Sequence, residues 1–494
     1  MIRISEQTLR DKIYACWLGK NIGGTMGAPY EGRKERLDVS GFVTPPGKPL
    51  PNDDLDLQLV WLRAVDEQGI ANINPGTLAE YWLTFIGPCW NEYGVCKANM
   101  RLGFLPPLAG QINNEEWFHS NGAWIRTEIW ACLHPALVER AIRYAYADAC
   151  VDHGLGEGTY AAIFVAAMQS AAFVIPDVRT LIRIGLSKIP EDCRVSRSVQ
   201  IVLSAYDEGA PWEEARERVV ADSADLGWFQ APANVAFVIL GLLYGGGDFK
   251  KSLLLAINCG DDTDCTGATA GALMGIMGGT EAIPDDWRAY IGEEIVTVSI
   301  TQGIGFFPRN CAELTECVLN LLGETTRTKN ALLAQGKLLQ IVQTGEDGPV
   351  DPEPFFGRAF VESLPSGTPF CFEQENVLVR ALVAFEKRPA VKPGETLGLS
   401  VRLLHRDLPE RYCYMPEQRH YFLRWILPPG WNAEGPRDLF VTSSIWSKYA
   451  ETEYSRGDFT ITASENVQSV NRLLLEISTP GRPSVLTVPV TVLG

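Results

Sequence analysis

The hydrophobic pattern of the chain changes near residue 325, and this change limits the possible folds more than any other feature does. From about Leu9 to Leu322, apolar residues recur at helical spacing in runs separated by Gly, Pro and Asn. Runs such as GTYAAIFVAAMQSAAFV and NVAFVILGLLYG are apolar on all sides and rich in Ala and Gly, which is typical of buried helices that pack closely. The pattern predicts an all-α domain over residues 1–325.

A different pattern follows the helical region. Residues 326–375 read as a linker whose first half could form one more helix, and GEDGPVDPEP within it is rich in turn residues. From about Asn376 the chain alternates between apolar and polar residues in six or seven short runs, such as TLGLSVRLLH and VLTVPVTVL. We expect an antiparallel β-sandwich of the immunoglobulin or fibronectin type over residues 376–494, folding as a separate accessory domain that supplies no catalytic groups.

The composition narrows the functional classes. The chain has 494 residues, with 60 acidic and 43 basic side chains and a formal net charge of −17, which argues against a nucleic-acid-binding surface. Its 12 cysteines form no CxxC pair, and no apolar run has the length of a signal peptide or a membrane span. We therefore expect a cytoplasmic protein with reduced thiols and no membrane partner, disulfides being the less favoured alternative. The pattern leaves the oligomeric state open.

Two short segments crowd carboxylates together at the start of a predicted helix. The first holds Asn52, Asp53, Asp54 and Asp56, and the second, CGDDTDCTGATAGALMG, holds Asp261, Asp262 and Asp264. One Asp at a helix start is explained by N-capping, but each segment has more than capping requires. Adjacent carboxylates repel unless a cation or a shared proton lies between them, and an oxygen-only ligand set selects a hard ion such as Mg²⁺ or Mn²⁺.

Six motifs occur in an order that resembles the ADP-ribosylglycohydrolase family. They are LGKNIGGTMGAPYEG, NDD, SNGAWIR, DHGLGEGTYAAIFVAA, GDDTDCTGATAGALMG and AIPDDW, and they lie between about residues 9 and 322. Each motif alone is weak, but the six in order are specific. The resemblance implies an all-α fold around two Mg²⁺ or Mn²⁺ ions and hydrolysis of the glycosidic bond at the anomeric carbon of a ribose.

The resemblance also implies a set of metal ligands. By position these are Asn52, Asp53, Asp54, Asp262, Asp264 and Cys265. Asn52 stands where the family has a threonine, and its amide oxygen can still ligate a hard cation. Cys265 replaces a second threonine, and a thiol is a poor ligand for Mg²⁺. Either water or Thr266 fills that place, or the metal preference moves towards Mn²⁺ or Zn²⁺.

Catalytic and substrate-binding residues follow from the same match. Glu31 aligns with the glutamate near the metals and substrate, and with Asp54 and Asp262 it forms the expected catalytic set. Such a carboxylate could act as general acid or general base, and the sequence leaves both roles open. Asn121, Gly122 and His153 match positions that line the substrate pocket.

Simpler interpretations of these residues remain at this point. Glu31 could be a surface carboxylate, His153 could cap a helix, and Asn121 with Gly122 could form a turn. Asp56 and Asp261 are expected to support the ligands or cap the helices. If Glu31 has no catalytic part, Asp56 and Glu157 are the next candidates for acid–base work.

The sequence specifies the reaction class more closely than the substrate. Five aromatic residues (Tyr81, Trp82, Phe85, Trp90 and Tyr93) crowd the stretch YWLTFIGPCWNEYG, where they could form core or stack on a sugar or base. Together with the appended β-sandwich, they favour an O- or N-glycoside other than ADP-ribose as an alternative small-molecule substrate. A second alternative is an inactive binding or structural member of the family, because two threonines of its motifs are replaced.

Overall fold

A computed structural model describes residues 2–327, 339–342, 350–357, 360, 370–405, 418–442 and 454–494. The chain divides into two compact units, one formed by residues 1–94 and 114–363 and the other by residues 95–113 and 364–494. Among the described residues, no helix combines the length and the apolar character needed to cross a bilayer.

The first unit is helical, as the apolar periodicity predicts. The α-helices of the described chain are α1 Glu6–Gly27, α2 Asp53–Gln68, α3 Pro75–Phe85, α4 Asn91–Leu102, α5 Glu128–Leu133, α6 Val138–Asp152, α7 Glu157–Ala172, α8 Val178–Leu186, α9 Arg194–Asp207, α10 Trp212–Asp222, α11 Ala231–Gly245, α12 Phe249–Asn258, α13 Thr263–Gly278, α14 Asp285–Ile291 and α15 Cys311–Arg327. Large side chains such as Trp17, Trp61 and Trp130 are fully buried among these helices.

One short pair of strands accompanies the helices. β1 (Ile2–Ser5) pairs in parallel with β2 (Leu339–Val342), with Ile2 opposite Leu339. The additional helix proposed for the first half of the linker lies mostly outside the described residues. The part of this predicted helix that falls on residues 339–342 is wrong, because these residues form a strand.

The packing of α1 against α13 determines the shape of the helical core. Along α1, small residues at every fourth position face small residues of α13 in reverse order, the pairs being Ala15 with Gly275, Gly19 with Gly271, Gly23 with Gly267 and Gly27 with Thr263. A Cβ atom on Gly23 would lie 2.0 Å from the Gly267 carbonyl oxygen. The backbones therefore touch, and the antiparallel order brings the last turn of α1 to the first turn of α13.

The second unit consists of two antiparallel sheets. One has the strand order β3-β4-β5-β9-β7 and the other the order β11-β10-β6-β8. The strands are β3 Cys371–Glu375, β4 Val379–Phe385, β5 Thr396–His405, β6 Gln418–Ile426, β7 Asn432–Glu434, β8 Asp438–Thr442, β9 Tyr454–Thr462, β10 Val470–Ser478 and β11 Val485–Leu493. Antiparallel sheets after the helical core are confirmed, with nine described strands where six or seven were expected. The immunoglobulin or fibronectin topology stays a prediction.

The core of this unit includes a segment from far upstream in the chain. Val383 of one sheet and Val490 of the other belong to a single buried cluster, together with Phe104, Leu108 and Ile112. Nothing in the hydrophobic pattern predicts that residues 95–113 pack with the strands. The predicted boundaries 1–325, 326–375 and 376–494 stay a prediction, and the second unit is not one continuous segment.

Replacing Gly23 or Gly267 by Ala should destabilise the protein. The new methyl group has no space between the two backbones, and overpacking of this kind typically costs roughly 1–3 kcal/mol. Thermal unfolding should show a lower Tm for either variant. Gly41→Ala is the matched control, because no atom lies within 4 Å of the added Cβ there. An unchanged Tm for Gly23→Ala would contradict the close approach of the helices.

Candidate metal centre

The contact between α1 and α13 brings together three carboxylates that are distant in sequence. Glu31 follows α1 after a short 3₁₀ turn, Ala28–Tyr30, and Asp262 and Asp264 lie at the start of α13. One ligand oxygen from each of these three residues lies within 4.8 Å of the others. Asp262 occupies the N-cap position of α13, but its side chain makes no capping hydrogen bond. N-capping therefore does not explain this Asp.

A short backbone bridge holds the Glu31 loop against the acidic segment. The Gly32 amide donates to the Asp261 carbonyl oxygen at 2.8 Å, and the Asp261 amide donates to the Arg33 carbonyl oxygen at 2.7 Å. Asp261 has a φ of 68°, which turns the chain sharply before Asp262. Its side chain accepts a hydrogen bond from the Phe229 amide at 3.2 Å. Asp261 thus supports the site through backbone contacts.

The start of α2 supplies the remaining acidic residues. The Asn52 side-chain oxygen accepts from the Asp54 amide at 2.8 Å, so it caps the helix. Asp53 is half-buried, and its Oδ2 accepts a hydrogen bond from the Tyr93 hydroxyl at 3.0 Å. Asp54 is fully buried and forms a second potential ligand group with Asp264 and Cys265, again within 4.8 Å.

The proximity of these carboxylates shifts their proton affinities. Burial, and then the charge of Asp264, raise the pKa of Asp262 well above its ordinary value. The charge of Asp264, with smaller contributions from burial and Asp53, raises the pKa of Glu31 to about 8. Burial and Asp264 raise the pKa of Asp53 to about 6. A cation among these groups would favour their charged forms.

Among Asp54, Asp262 and Asp264, three buried carboxylate oxygens have no hydrogen-bond donor within the described part of the chain. These are Oδ2 of Asp54, Oδ1 of Asp262 and Oδ1 of Asp264. A buried polar atom without a partner is costly, and a shared proton or a metal ion would satisfy such atoms. Carboxylate oxygens are the ligands that Mg²⁺ and Mn²⁺ prefer. The side chains present here therefore fit a hard divalent cation.

Among the three predicted substrate-binding residues, only Asn121 contacts the carboxylates of the candidate metal centre. Its amide nitrogen donates to Asp262 Oδ2 at 2.6 Å, and its oxygen accepts from the Trp124 indole at 3.0 Å. Both polar atoms of Asn121 are thus used to orient Asp262. Its neighbour Gly122 accepts a hydrogen bond from Arg126 on its carbonyl oxygen.

His153 lies in a buried polar network. It follows the end of α6, its Nε2 lies 3.0 Å from the Ser120 hydroxyl, and its Nδ1 lies 2.9 Å from Asp152 Oδ1. Arg126 binds the same carboxylate at 2.8 Å. His153 is fully buried, so its role in contacting a substrate stays a prediction.

The two alternative acid–base residues are held by backbone amides. Asp56 Oδ2 accepts hydrogen bonds from the amides of Val298 and Ser299. The Glu157 carboxylate accepts from the amides of Arg194 and Val195, both at 2.9 Å, and so caps α9. Both carboxylates have structural partners, whereas Glu31 is exposed to solvent beside Asp264.

Sequence reasoning missed a buried lysine beside the acidic residues. Lys20 of α1 is fully buried, and its Nζ donates to the Ile125 carbonyl oxygen at 2.7 Å and to Glu128 Oε1 at 3.2 Å. The same Nζ lies 3.7 Å from Asp54 Oδ2. Burial alone would lower the pKa of Lys20, but Glu128 and Asp54 raise it above its ordinary value. A Lys inside the apolar run ACWLGKNIGG was the available signal.

Comparisons with known proteins identify what the helical unit is similar to. The sequence model of the ADP-ribosylglycohydrolase family matches residues 5–323. A solved structure titled ADP-ribosylglycohydrolase-related protein complex is 21% identical, covers 65% of this chain and 99% of its own, and has a TM-score of 0.45. No curated protein matches the chain.

Binding of Mn²⁺ to the ion-free protein near neutral pH should release protons. Because the pKa of Glu31 is raised to about 8, its carboxyl group holds a proton near neutral pH when no cation is present, and a cation displaces that proton. Calorimetric titration in buffers with different ionisation enthalpies measures this release. Asp262→Asn should weaken binding strongly. The assignment would be wrong if the heat were independent of buffer and both proteins bound Mn²⁺ equally.

Proposed function

The chain belongs to the ADP-ribosylglycohydrolase family, and on this premise we propose that it is a divalent-metal-dependent hydrolase of a glycosidic bond at the anomeric carbon of a ribosyl or related sugar. The observation that carries the proposal is the convergence of Glu31, Asp262 and Asp264 at the contact between α1 and α13. Two of their buried oxygens have no hydrogen-bond donor among the described residues, which supports a bound cation.

The residues that would hold Mg²⁺ or Mn²⁺ are Asp262 and Asp264, with Asp53 and Glu31 beside them. When bound, such an ion acidifies a water molecule and stabilises negative charge on oxygen atoms. Asn121 holds the Asp262 carboxylate through a hydrogen bond of 2.6 Å, and Tyr93 holds Asp53 at 3.0 Å. These two donors limit the movement of the carboxylates, which keeps them in position for a ligand.

Glu31 is the residue that we expect to transfer a proton. It is the exposed member of the three carboxylates, so a substrate can reach it, whereas Asp262 and Asp264 are buried. Hydrolysis of a glycosidic bond requires a proton for the leaving oxygen or nitrogen and removal of one from the attacking water. A carboxyl group at this position can supply the first proton or accept the second, and both roles stay open for Glu31.

A glycoside other than an ADP-ribosyl compound is the second candidate substrate, and an exposed aromatic residue favours it. Trp90 is 50% exposed and stacks on Tyr93 with ring centroids 6.4 Å apart. Since the Tyr93 hydroxyl donates to Asp53, an aromatic face lies beside the acidic residues. Such faces bind the apolar side of a sugar or a base. Trp82, by contrast, is fully buried and belongs to the core.

Glu31→Gln should abolish hydrolysis while leaving metal affinity and Tm nearly unchanged. Gln retains an oxygen that can ligate a cation, but it cannot transfer a proton, and that transfer typically contributes ~10²–10⁴ in rate. Substrates should be screened among ADP-ribosyl compounds and nitrophenyl furanosides and pyranosides, with single-turnover kinetics on the best one.

Glu35→Gln is the matched control, because Glu35 lies on the same loop and its carboxylate pairs only with Arg33 among the described residues. It should turn over at the wild-type rate. If Glu31→Gln also does so, Glu31 takes no part in the reaction. A wild-type protein that binds Mn²⁺ but hydrolyses nothing in the screen would favour the inactive member of the family instead.

A further inference from the structure

We infer that this centre holds one divalent cation, and that Lys20 and Cys265 exclude a second ion from the side formed by Asp54. The inference rests on the proposed metal dependence and departs from the two ions that the family resemblance implies. It follows from the groups that surround Asp54, a residue that the resemblance places among the metal ligands.

Lys20 directs its ammonium group at three oxygen atoms. Its Nζ lies 2.7 Å from the Ile125 carbonyl oxygen, 3.2 Å from Glu128 Oε1 and 3.7 Å from Asp54 Oδ2. The first two atoms accept hydrogen bonds from the ammonium group, and Asp54 Oδ2 lies at ion-pair distance. A positive charge therefore already faces Asp54 Oδ2, and it would repel a second cation at that atom.

The position of Lys20 is fixed by its surroundings. Its side chain is fully buried, and its partner Glu128 is held in turn by Gln58 and Gln169, each with a hydrogen bond of 2.9 Å. Because both carboxylate oxygens of Glu128 accept hydrogen bonds from amide groups, Glu128 cannot follow the ammonium to another site. Moving Lys20 away from Asp54 would leave the Glu128 charge buried without its cation.

Cys265 occupies the other oxygen of Asp54. Its Sγ donates to Asp54 Oδ1 at 3.4 Å, at the position where the family resemblance implies a threonine. A thiol is a weak donor and a poor ligand for Mg²⁺. Asp54 therefore faces a thiol on one oxygen, and its other oxygen makes no hydrogen bond but lies 3.7 Å from the ammonium group, whose charge opposes a metal ion there.

The unpaired oxygens that form no ion pair with Lys20 belong to Asp262 and Asp264. Oδ1 of Asp262 and Oδ1 of Asp264 have no donor among the described residues, and Glu31 lies with them within 4.8 Å. Lys20 makes no hydrogen bond to any of these three side chains. One ion at this position satisfies the unpaired oxygens of Asp262 and Asp264 and leaves Asp54 Oδ2 to the charge of Lys20.

The metal content of the 494-residue chain tests the inference directly. Metal-stripped protein is saturated with Mn²⁺, free ion is removed, and Mn is determined per chain by elemental analysis and by electron paramagnetic resonance. We expect one Mn²⁺ per chain with the spectrum of an isolated ion. Two ions with a spin-coupled spectrum would overturn the inference and leave the proposed function standing, whereas no bound Mn²⁺ would overturn both.

A matched pair of variants assigns the side on which the ion lies. Asp262→Asn and Asp54→Asn each replace one carboxylate by an amide. Asp262 is grouped with Glu31 and Asp264, whereas Asp54 is grouped with Asp264 and Cys265. We expect Asp262→Asn to lose the ion and Asp54→Asn to keep one Mn²⁺ per chain, with circular dichroism confirming that each variant is folded. Loss of the ion from folded Asp54→Asn, with retention in Asp262→Asn, would overturn the assignment. The wild-type stoichiometry decides the count of ions even if a variant fails to fold.

Discussion

The backbone contact between α1 and α13 is the constraint on which the rest of the helical unit depends. Glycines at Gly19, Gly23, Gly267 and Gly271 leave no room for a Cβ atom between the helices. The two helix ends are therefore held side by side, and so are Glu31 and the aspartates that start α13. The free energy of helix packing holds these like charges together. This packing requires small residues on α13, which explains why they follow the aspartates directly in sequence.

The charges confined in this way are arranged asymmetrically. On one side Asp54 meets Lys20 and Cys265, and the positive charge of Lys20 is shared with Glu128. On the other side Asp262 and Asp264 have unsatisfied oxygens next to the exposed Glu31. In the proposed arrangement, Lys20 supplies the positive charge for one half of the acidic cluster and a metal ion supplies it for the other half. This division accounts for a buried lysine in an otherwise acidic centre.

Much of this structure could be predicted from sequence, for identifiable physical reasons. Apolar periodicity indicates which residues of a segment are buried, so it predicted the helical core and the alternating strands. The aspartates at each helix start were noticed because capping could not explain all of them. Periodicity does not report which core a segment joins, and Phe104, Leu108 and Ile112 pack with strands more than 250 positions later in the chain. Lys20 was missed because its partner Glu128 is 108 residues away and only the fold brings them together.

In the proposed function, the contact between α1 and α13 creates a site for a divalent cation beside Glu31. Anomalous diffraction from crystals soaked in Mn²⁺ is the decisive measurement, because it locates the ion independently of any activity. We expect an anomalous peak bonded to carboxylate oxygens of Asp262 and Asp264, with Glu31 next to it. The absence of a peak there at saturating Mn²⁺, with the two aspartates joined through a shared proton, would contradict it.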